Sequence, residues 1–373
     1  MTGRRSIVIV ANDSWYAVNF RSSLIAKLVQ RGWSVVVLTP DREHSDALEA
    51  LGARSEAVDF APRSRAPGRV AGNVRALRFA LRRLRPAAAL TFNPMPNLAV
   101  SLAKTATGVP QVATVSGFGT MRARAAGAVL RATLRLPDAV LCQNAEDFAA
   151  VRKLRGPRRP TRRVAGSGVD ASAYADTPRD YATLRVLYAG RFLRAKGVID
   201  YVEAAEAVLR EGLPDIRFAL CGLPVAGEGG LSEAEMAARL EGTGIAFEGY
   251  VADMPARLAA ADIVTLPSRY GEGIPRSLIE AAAAGCITVA YDNDGVREIV
   301  RDGETGILLR EAGPDALVRA FGRLRAMSPE RLAAMAEAGR RLAASKFSVE
   351  QVDAAYLEEV ARLTHAGPSR RGA

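Results

Sequence analysis

Short apolar runs alternate with longer stretches of helical periodicity along nearly the whole chain, and this alternation constrains the fold more than any single motif. Strands are expected at Ser6–Ala11, Ser34–Leu38, 54–59, Ala87–Phe92, Gln111–Val115 and Ala139–Cys142. Helices are expected at Asn19–Arg31, 43–51, 69–85, 98–106 and 121–135. A second series starts at Arg185–Ala189 and continues with strands near 216–221, 245–248, 263–266, 286–290 and 306–309. Runs such as Ile263-Val264-Thr265-Leu266 are apolar at every position, as strands covered on both faces must be. Strand, helix, strand repeated in this way predicts an α/β fold with a doubly wound parallel sheet in each half.

A chain of 373 residues exceeds what one core usually covers, so two domains are expected, here 1–165 and 166–348, followed by a C-terminal segment, 349–373. The boundary is set by GSGVD (Gly166–Asp170), a glycine hinge after the Arg- and Pro-rich stretch Val151–Arg163, which has no usable periodicity and reads as an exposed crossing. Cys142, Cys221 and Cys286 lie far apart in apolar segments without CxxC spacing, which favours reduced core thiols over a metal or redox site. No apolar run is long enough to span a bilayer, and the first one is too short for a signal peptide, so a cytoplasmic location is expected.

The net charge of +11 is unevenly shared. Residues 1–165 hold 27 Lys and Arg against 10 Asp and Glu, a net of +17, and the remaining 24 against 30 give −6. In the helix expected at 69–85, Val70, Val74, Leu77, Leu81 and Leu84 form an apolar stripe and Arg75, Arg78, Arg82 and Arg85 a basic one. Arg122, Arg124, Arg131 and Arg135 line a further helix. Two readings stand for these arginines: a solvated face, or a surface for an anionic membrane or a diphosphate-bearing lipid. Nucleic acid is disfavoured, because no aromatic side chains interleave the stripes to stack on bases.

Loops at the carboxyl ends of strands face the ligand side of such sheets. In the first half these are Asn12–Tyr16 with Ser14 and Trp15, Asn93–Asn97, and Ser116–Thr120 with Gly117, Phe118 and Gly119. Trp15 and Tyr16 either contact an acceptor or staple the following helix. The two glycines either admit a ligand to the backbone or form a plain tight turn. In the second half, GRFLRAKG (Gly190–Gly197) follows the first strand, and Arg191 and Lys196 could both reach an anion. RYGEGIPRSLIEAAAAG (Arg269–Gly285) places Glu272 in a turn and Glu280 in the helix that follows, with Gly273, Ile274 and Pro275 at the helix start. A carboxylate there repels phosphate, so Glu272 suits neutral hydroxyls and Glu280 a diol such as ribose. The pair of halves is expected to enclose an interdomain cleft that seats a sugar nucleotide.

GRFLRAKG, FEGYV (Phe247–Val251), ADIVTLPS and EGIPRSLIEAAAAG, in that order, resemble the donor-binding domain of glycosyltransferase family 4, the retaining GT-B enzymes. SWYAVNFRSSLIAKLVQRG, NPMPN, ATVSGFGT and GSGVD more narrowly resemble its capsular-polysaccharide branch, which acts on undecaprenyl-diphosphate-linked acceptors. The resemblance reaches to about residue 363. It implies a GT-B fold of two Rossmann-like domains facing a cleft, and a retaining, metal-independent transfer with no cofactor. The donor would be a nucleotide-diphosphate sugar, UDP-linked by preference, carrying a hexose or N-acetylhexosamine. The acceptor would be lipid-linked or a polysaccharide, in bacterial capsule, exopolysaccharide or O-antigen synthesis on the cytoplasmic face of the inner membrane.

Carried over by motif, the resemblance implies that Arg191 and Lys196 bind the diphosphate and stabilise the leaving group, that Glu272 contacts the transferred sugar and Glu280 the ribose, and that Tyr250 and Val251 lie near the base. The last helix, around 349–363, would cross back to the first domain ahead of a disordered tail. No histidine falls in these motifs; His44 is set at a helix start and His365 in the tail, so the Gly117–Gly119 loop would position substrate by backbone alone. Two further classes share parts of this pattern: a GT-B-like sugar-nucleotide epimerase or phosphorylase, whose added acid–base residues or cofactor lysine are not visible, and a non-catalytic lipid- or polyanion-binding protein.

Overall fold

The computed structural model describes residues 5–62, 64, 66–117, 133–174, 177–212, 215–269, 271 and 273–365. The chain divides into two compact units, Met1–Gly168 with Val349–Ala373, and Val169–Ser348. Phe118, Gly119, Glu272, Arg122, Arg124 and Arg131 lie outside the described residues.

The first unit carries a parallel sheet of β1 (Ser6–Val10), β2 (Ser34–Thr39), β3 (Arg54–Ala57), β4 (Ala88–Thr91), β5 (Gln111–Val115), β6 (Ala139–Cys142) and β7 (Thr161–Arg163), ordered β3-β2-β1-β4-β5-β6-β7. Its helices are α1 (Ser14–Gln30), α2 (Ser45–Ala50), α3 (Pro67–Leu84), α4 (Pro94–Thr107), α5 (Ala145–Arg155) and the last of the chain, α12 (Val349–His365). Alternate side chains of β1 go to opposite faces. Ile7 and Ile9 pack with Leu24, Ile25 and Leu28 of α1 and Val352, Tyr356 and Val360 of α12. Val8 and Val10 pack with Leu77 and Leu81 of α3 and Val100 of α4. Each such aliphatic side chain contributes about 1.5–3 kcal/mol when fully buried, which is why β1 is apolar throughout its buried part, Ile7 to Val10.

α12 belongs to this unit by specific contacts as well as by packing. Asp353, nearly inaccessible, accepts from Ser23 Oγ at 2.6 Å and Lys27 Nζ at 2.9 Å, and Tyr356 Oη meets Thr114 Oγ1 at 3.0 Å. The guanidinium of Arg21, also buried, sits 4.2 Å from the Phe92 ring centroid and 5.4 Å from that of Tyr356, and donates to Tyr16 Oη at 3.1 Å.

Three local expectations are corrected. α1 begins at Ser14 rather than Asn19, because Asp13 accepts from Tyr16 N–H at 2.7 Å and caps the helix earlier. α4 begins at Pro94, so most of Asn93–Asn97 is helix; its prolines fall in the first turn, where no intrahelical N–H is needed. The stretch Val151–Arg163 is not a crossing: α5 runs to Arg155 and β7 pairs with β6. Composition misleads here because Arg155 is buried and turns its guanidinium on backbone carbonyls, including that of Pro137 at 2.9 Å.

The second unit repeats the plan with β8 (Leu184–Ala189), β9 (Ile216–Cys221), β10 (Ala246–Gly249), β11 (Ile263–Leu266), β12 (Ile287–Tyr291) and β13 (Gly306–Leu309), all parallel, ordered β10-β9-β8-β11-β12-β13. α6 (Val198–Arg210), α7 (Glu233–Leu240), α8 (Met254–Ala259), α9 (Arg276–Ala283), α10 (Pro314–Arg325) and α11 (Pro329–Lys346) flank it. On one face Leu187, Val264, Ala281 and Cys286 form a core; on the other Tyr201 donates to the carbonyls of Val186 and Ala219 at 3.0 and 2.8 Å. Winding reverses between β1 and β4 in the first sheet and between β8 and β11 in the second. Each reversal leaves a crevice at the strands' carboxyl ends, where a ligand can enter.

Candidate functional site

At the β8–β11 reversal the loops Gly190–Gly197 and Pro267–Arg269 are welded together by backbone. Arg269 N–H donates to Ala195 O at 2.8 Å. Gly197 has φ +74 and lies so close to Pro267 that a Cβ would stand 1.9 Å from its carbonyl oxygen, so glycine alone fits. Arg191 is exposed, but its flanks are not: Tyr188 Oη donates to its carbonyl at 2.9 Å, and Phe192, fully buried, bonds through its N–H to Leu223 O at 2.8 Å. Lys196 closes a short 3-10 turn (Arg194–Lys196) that runs into α6. Two cations therefore stand on a fixed frame at the mouth of the crevice.

Across this crevice the frame is held by charge. Asp200 accepts from Arg269 Nε and from Tyr291 Oη, both at 2.8 Å. The carboxylate hydrogen bond raises Arg269, and burial, with Asp200 beside it, pushes the Tyr291 hydroxyl up, so Tyr291 acts as a neutral donor. Asn293 Nδ2 ties Ser268 O at 2.5 Å. Apart from Arg269, which opens the Arg269–Gly285 motif, none of these residues stood out in the sequence; the signal available was their position at or just past the ends of β11 and β12, or in the first turn of α6.

Gly273, Ile274 and Pro275 are buried, and Pro275 caps α9 with an extended backbone. Glu280 lies in α9 and is paired with Arg276 at 2.7 Å. Burial first, and the Glu280 carboxylate second, push the Tyr174 hydroxyl up, so Glu280 already holds two protein partners. A carboxylate has roughly four lone-pair sites, which leaves room for a diol. Tyr250 is exposed just beyond β10, and Val251 packs on the core under β8. Cys221 and Cys286 are buried and pushed up to about 12, so neither thiol is a nucleophile.

At the β1–β4 reversal of the first unit, Asn12 N–H donates to Asn93 Oδ1 at 3.3 Å, and Asn93 takes a positive φ of 71, which asparagine tolerates better than most residues. Gly117, with φ 106, follows β5. Ser14 corrects its sequence reading: it is fully buried, donates to Asp41, and accepts from His44 N–H at 3.1 Å, so its hydroxyl is used inside the protein. Trp15 packs edge-on against Phe20, 5.7 Å away, and Tyr16 stacks on the same ring at 4.8 Å. Both rings thus belong to α1 and pack on a residue of the same helix, so they do not precede it as a staple would. Among the described residues no three His, Cys, Asp or Glu side chains are grouped to hold a metal, and no helix is long and apolar enough to cross a membrane.

Both halves of the chain match family models. Residues 18–167 match the glycosyl transferase 4-like domain, and residues 183–326 match glycosyl transferases group 1. The chain is 31% identical over 214 residues to the alpha-D-kanosaminyltransferase of Streptomyces kanamyceticus, covering 53% of each. It is 32% identical over 159 residues to the phosphatidyl-myo-inositol mannosyltransferase of Mycobacterium tuberculosis strain H37Rv, covering 40% of each. The matched part thus spans about half or less of those relatives' length. A solved structure of Anabaena HepE in complex with UDP and glucose superposes with a TM-score of 0.75 at 18% identity, over 96% of this chain and 100% of that one. The fold is the GT-B fold of two Rossmann-like domains, and both halves are related to glycosyl transferase families.

Proposed function

We propose that this GT-B protein is a glycosyltransferase that takes a sugar from a nucleotide-diphosphate donor held by the second unit and gives it to an acceptor bound by the first. The observation that carries this reading is the pair Arg191 and Lys196 on the rigid loop after β8. Glycosyl transfer breaks the bond between the anomeric carbon and a phosphate oxygen, which leaves with the electron pair, so the most useful catalyst is fixed positive charge at that oxygen. A frame locked by Gly197, Tyr188 and Asp200 supplies such charge without reorganising.

Retention fits the absence of a carboxylate nucleophile among the residues singled out on the acceptor side: the acceptor oxygen enters on the face the phosphate leaves, and the phosphate takes its proton. UDP is the preferred donor nucleotide, in line with the UDP held in the HepE complex. With Arg191 and Lys196 supplying charge, no metal is required in this scheme. Glu272, from the resemblance, would contact the transferred sugar and Glu280 the ribose, with Tyr250 and Val251 by the base.

For the acceptor, a lipid-linked or polysaccharide substrate of surface-glycan synthesis is favoured by the exposed face of α3. Arg75, Phe79 and Arg82 stand one turn apart in solvent, and Phe79 is 71% exposed. A bare aromatic between cations suits an anionic membrane surface, where the ring enters the headgroup layer. Thermal unfolding of the protein with UDP-, GDP- and ADP-sugars, followed by incubation of the stabilising one with labelled sugar, tests the proposal. Protection by one donor and release of its free nucleotide are expected; no protection and no release with any of them would overturn it.

A further inference from the structure

Three consecutive strands of the first sheet, β2, β1 and β4, present a continuous hydrogen-bonded rim at their carboxyl ends. Asn12 bonds Asn93, while Ser14 bonds both Asp41 and His44. Asn12 Oδ1 is buried in this rim and has no partner among the described residues. His44 was set aside in the sequence as a helix start, yet its imidazole makes no capping hydrogen bond to α2. It turns instead to Ser14, with Nδ1 3.2 Å from Oγ.

Counting protons shows what the serine asks of Nδ1. A serine hydroxyl has one proton and two lone pairs. Ser14 gives its proton to Asp41 Oδ1, and one lone pair takes the N–H of His44. The remaining lone pair faces Nδ1, so this contact is attractive only when Nδ1 carries a proton. A neutral imidazole protonated on Nδ1 has its lone pair on Nε2. Asp41, itself held by the N–H groups of Ser14 at 3.2 Å and Glu43 at 3.3 Å, anchors the whole relay. Nε2 has no partner among the described residues, and the ring is only half-buried.

We infer that Nε2 of His44 is a hydrogen-bond acceptor for a neutral hydroxyl of the acceptor substrate, poised by Ser14 and Asp41 on the ligand side of the first sheet. This rests on the reading that the first unit binds the acceptor. The site selects a hydroxyl over a phosphate or carboxylate, because a lone pair on Nε2 attracts a donor and repels an anion.

Two variants separate this from a structural role. His44→Asn keeps an N–H near the Nδ1 position and so keeps the Ser14 contact, but has nothing at Nε2; His44→Gln reaches the Nε2 position with a carbonyl oxygen. With octyl glucoside as the acceptor probe, His44→Asn is expected to raise its KM about tenfold, the loss of one hydrogen bond, to leave thermal stability and its increase by the nucleotide sugar unchanged, and to be partly rescued in His44→Gln. An unchanged KM in His44→Asn would overturn the site. Nitrogen-15 NMR of histidine-labelled protein gives a second readout, simple because the chain has 2 histidines: His44 is expected with Nδ1 protonated and Nε2 bare, and a proton on Nε2 would overturn the inference even if transfer proceeds. Should the wild type neither hydrolyse nor transfer any sugar nucleotide, the proposed function fails, and the NMR result alone decides the state of His44.

Discussion

In the proposed transfer the chemistry turns on Arg191 and Lys196, and their settings predict how they fail. Arg191 projects from a backbone pinned on both sides by buried aromatics, so replacing its side chain removes charge without loosening the loop. Arg191→Ala or Lys196→Ala is expected to lower the rate of sugar transfer by ~10²-fold, of order 3 kcal/mol of transition-state stabilisation, with the thermal unfolding curve unmoved. Turnover within a factor of two of the wild type in either variant would remove that residue from the site. Ser14 shows the opposite case: a residue at a ligand-side loop whose polar group is consumed by its neighbours, so that the side chain meeting substrate is the one it orients.

Between residues and domain lies the loop pair after β8 and β11, whose stiffness comes from glycine. Gly197→Ala would drive a Cβ to 1.9 Å from Pro267 O in a left-handed backbone. The expected loss is of order 3 kcal/mol, which lowers the Tm of a unit this size by about 6–12 °C and abolishes donor protection. Gly212→Ala is the control, since it has a φ of +72 with nothing within 4 Å; there only the backbone strain of about 1 kcal/mol is expected. Equal melting points for the two variants would show that the contact with Pro267 carries no weight.

For the whole molecule the decisive property is where charge sits. The excess of +17 before residue 166, with Phe79 exposed among arginines on α3, predicts a protein that docks by its first unit. Each basic residue at an anionic surface contributes roughly 1 kcal/mol, so the attachment should be reversible and salt-sensitive. Replacing Arg75 and Arg82 by Gln and Phe79 by Ser is expected to reduce sedimentation with phosphatidylglycerol vesicles at low salt while leaving nucleotide-sugar protection intact. Sedimentation equal to the wild type would make α3 an ordinary solvated face.

The sequence by itself determined the alternation, and with it both parallel sheets, because an all-apolar strand flanked by amphipathic helices has few ways to bury every face. It also located Arg191, Lys196 and Glu280 on segments that follow strands, since the carboxyl ends of parallel strands are where such loops must lie. What it could not carry was anything that depends on a partner distant along the chain. Asp13 as a cap needs only local geometry and was legible in principle; Arg155 read as solvated because its carbonyl partners belong to other segments. Glu280 read as open because Tyr174 lies more than a hundred residues before it. His44 does stand at the start of α2, but its imidazole contact was not legible, because Ser14 comes to it only when β1 and β2 pair side by side. Hydrogen-bond satisfaction is a property of three-dimensional neighbourhoods, and only the tertiary structure decided which polar groups were already spent and which remained for a substrate.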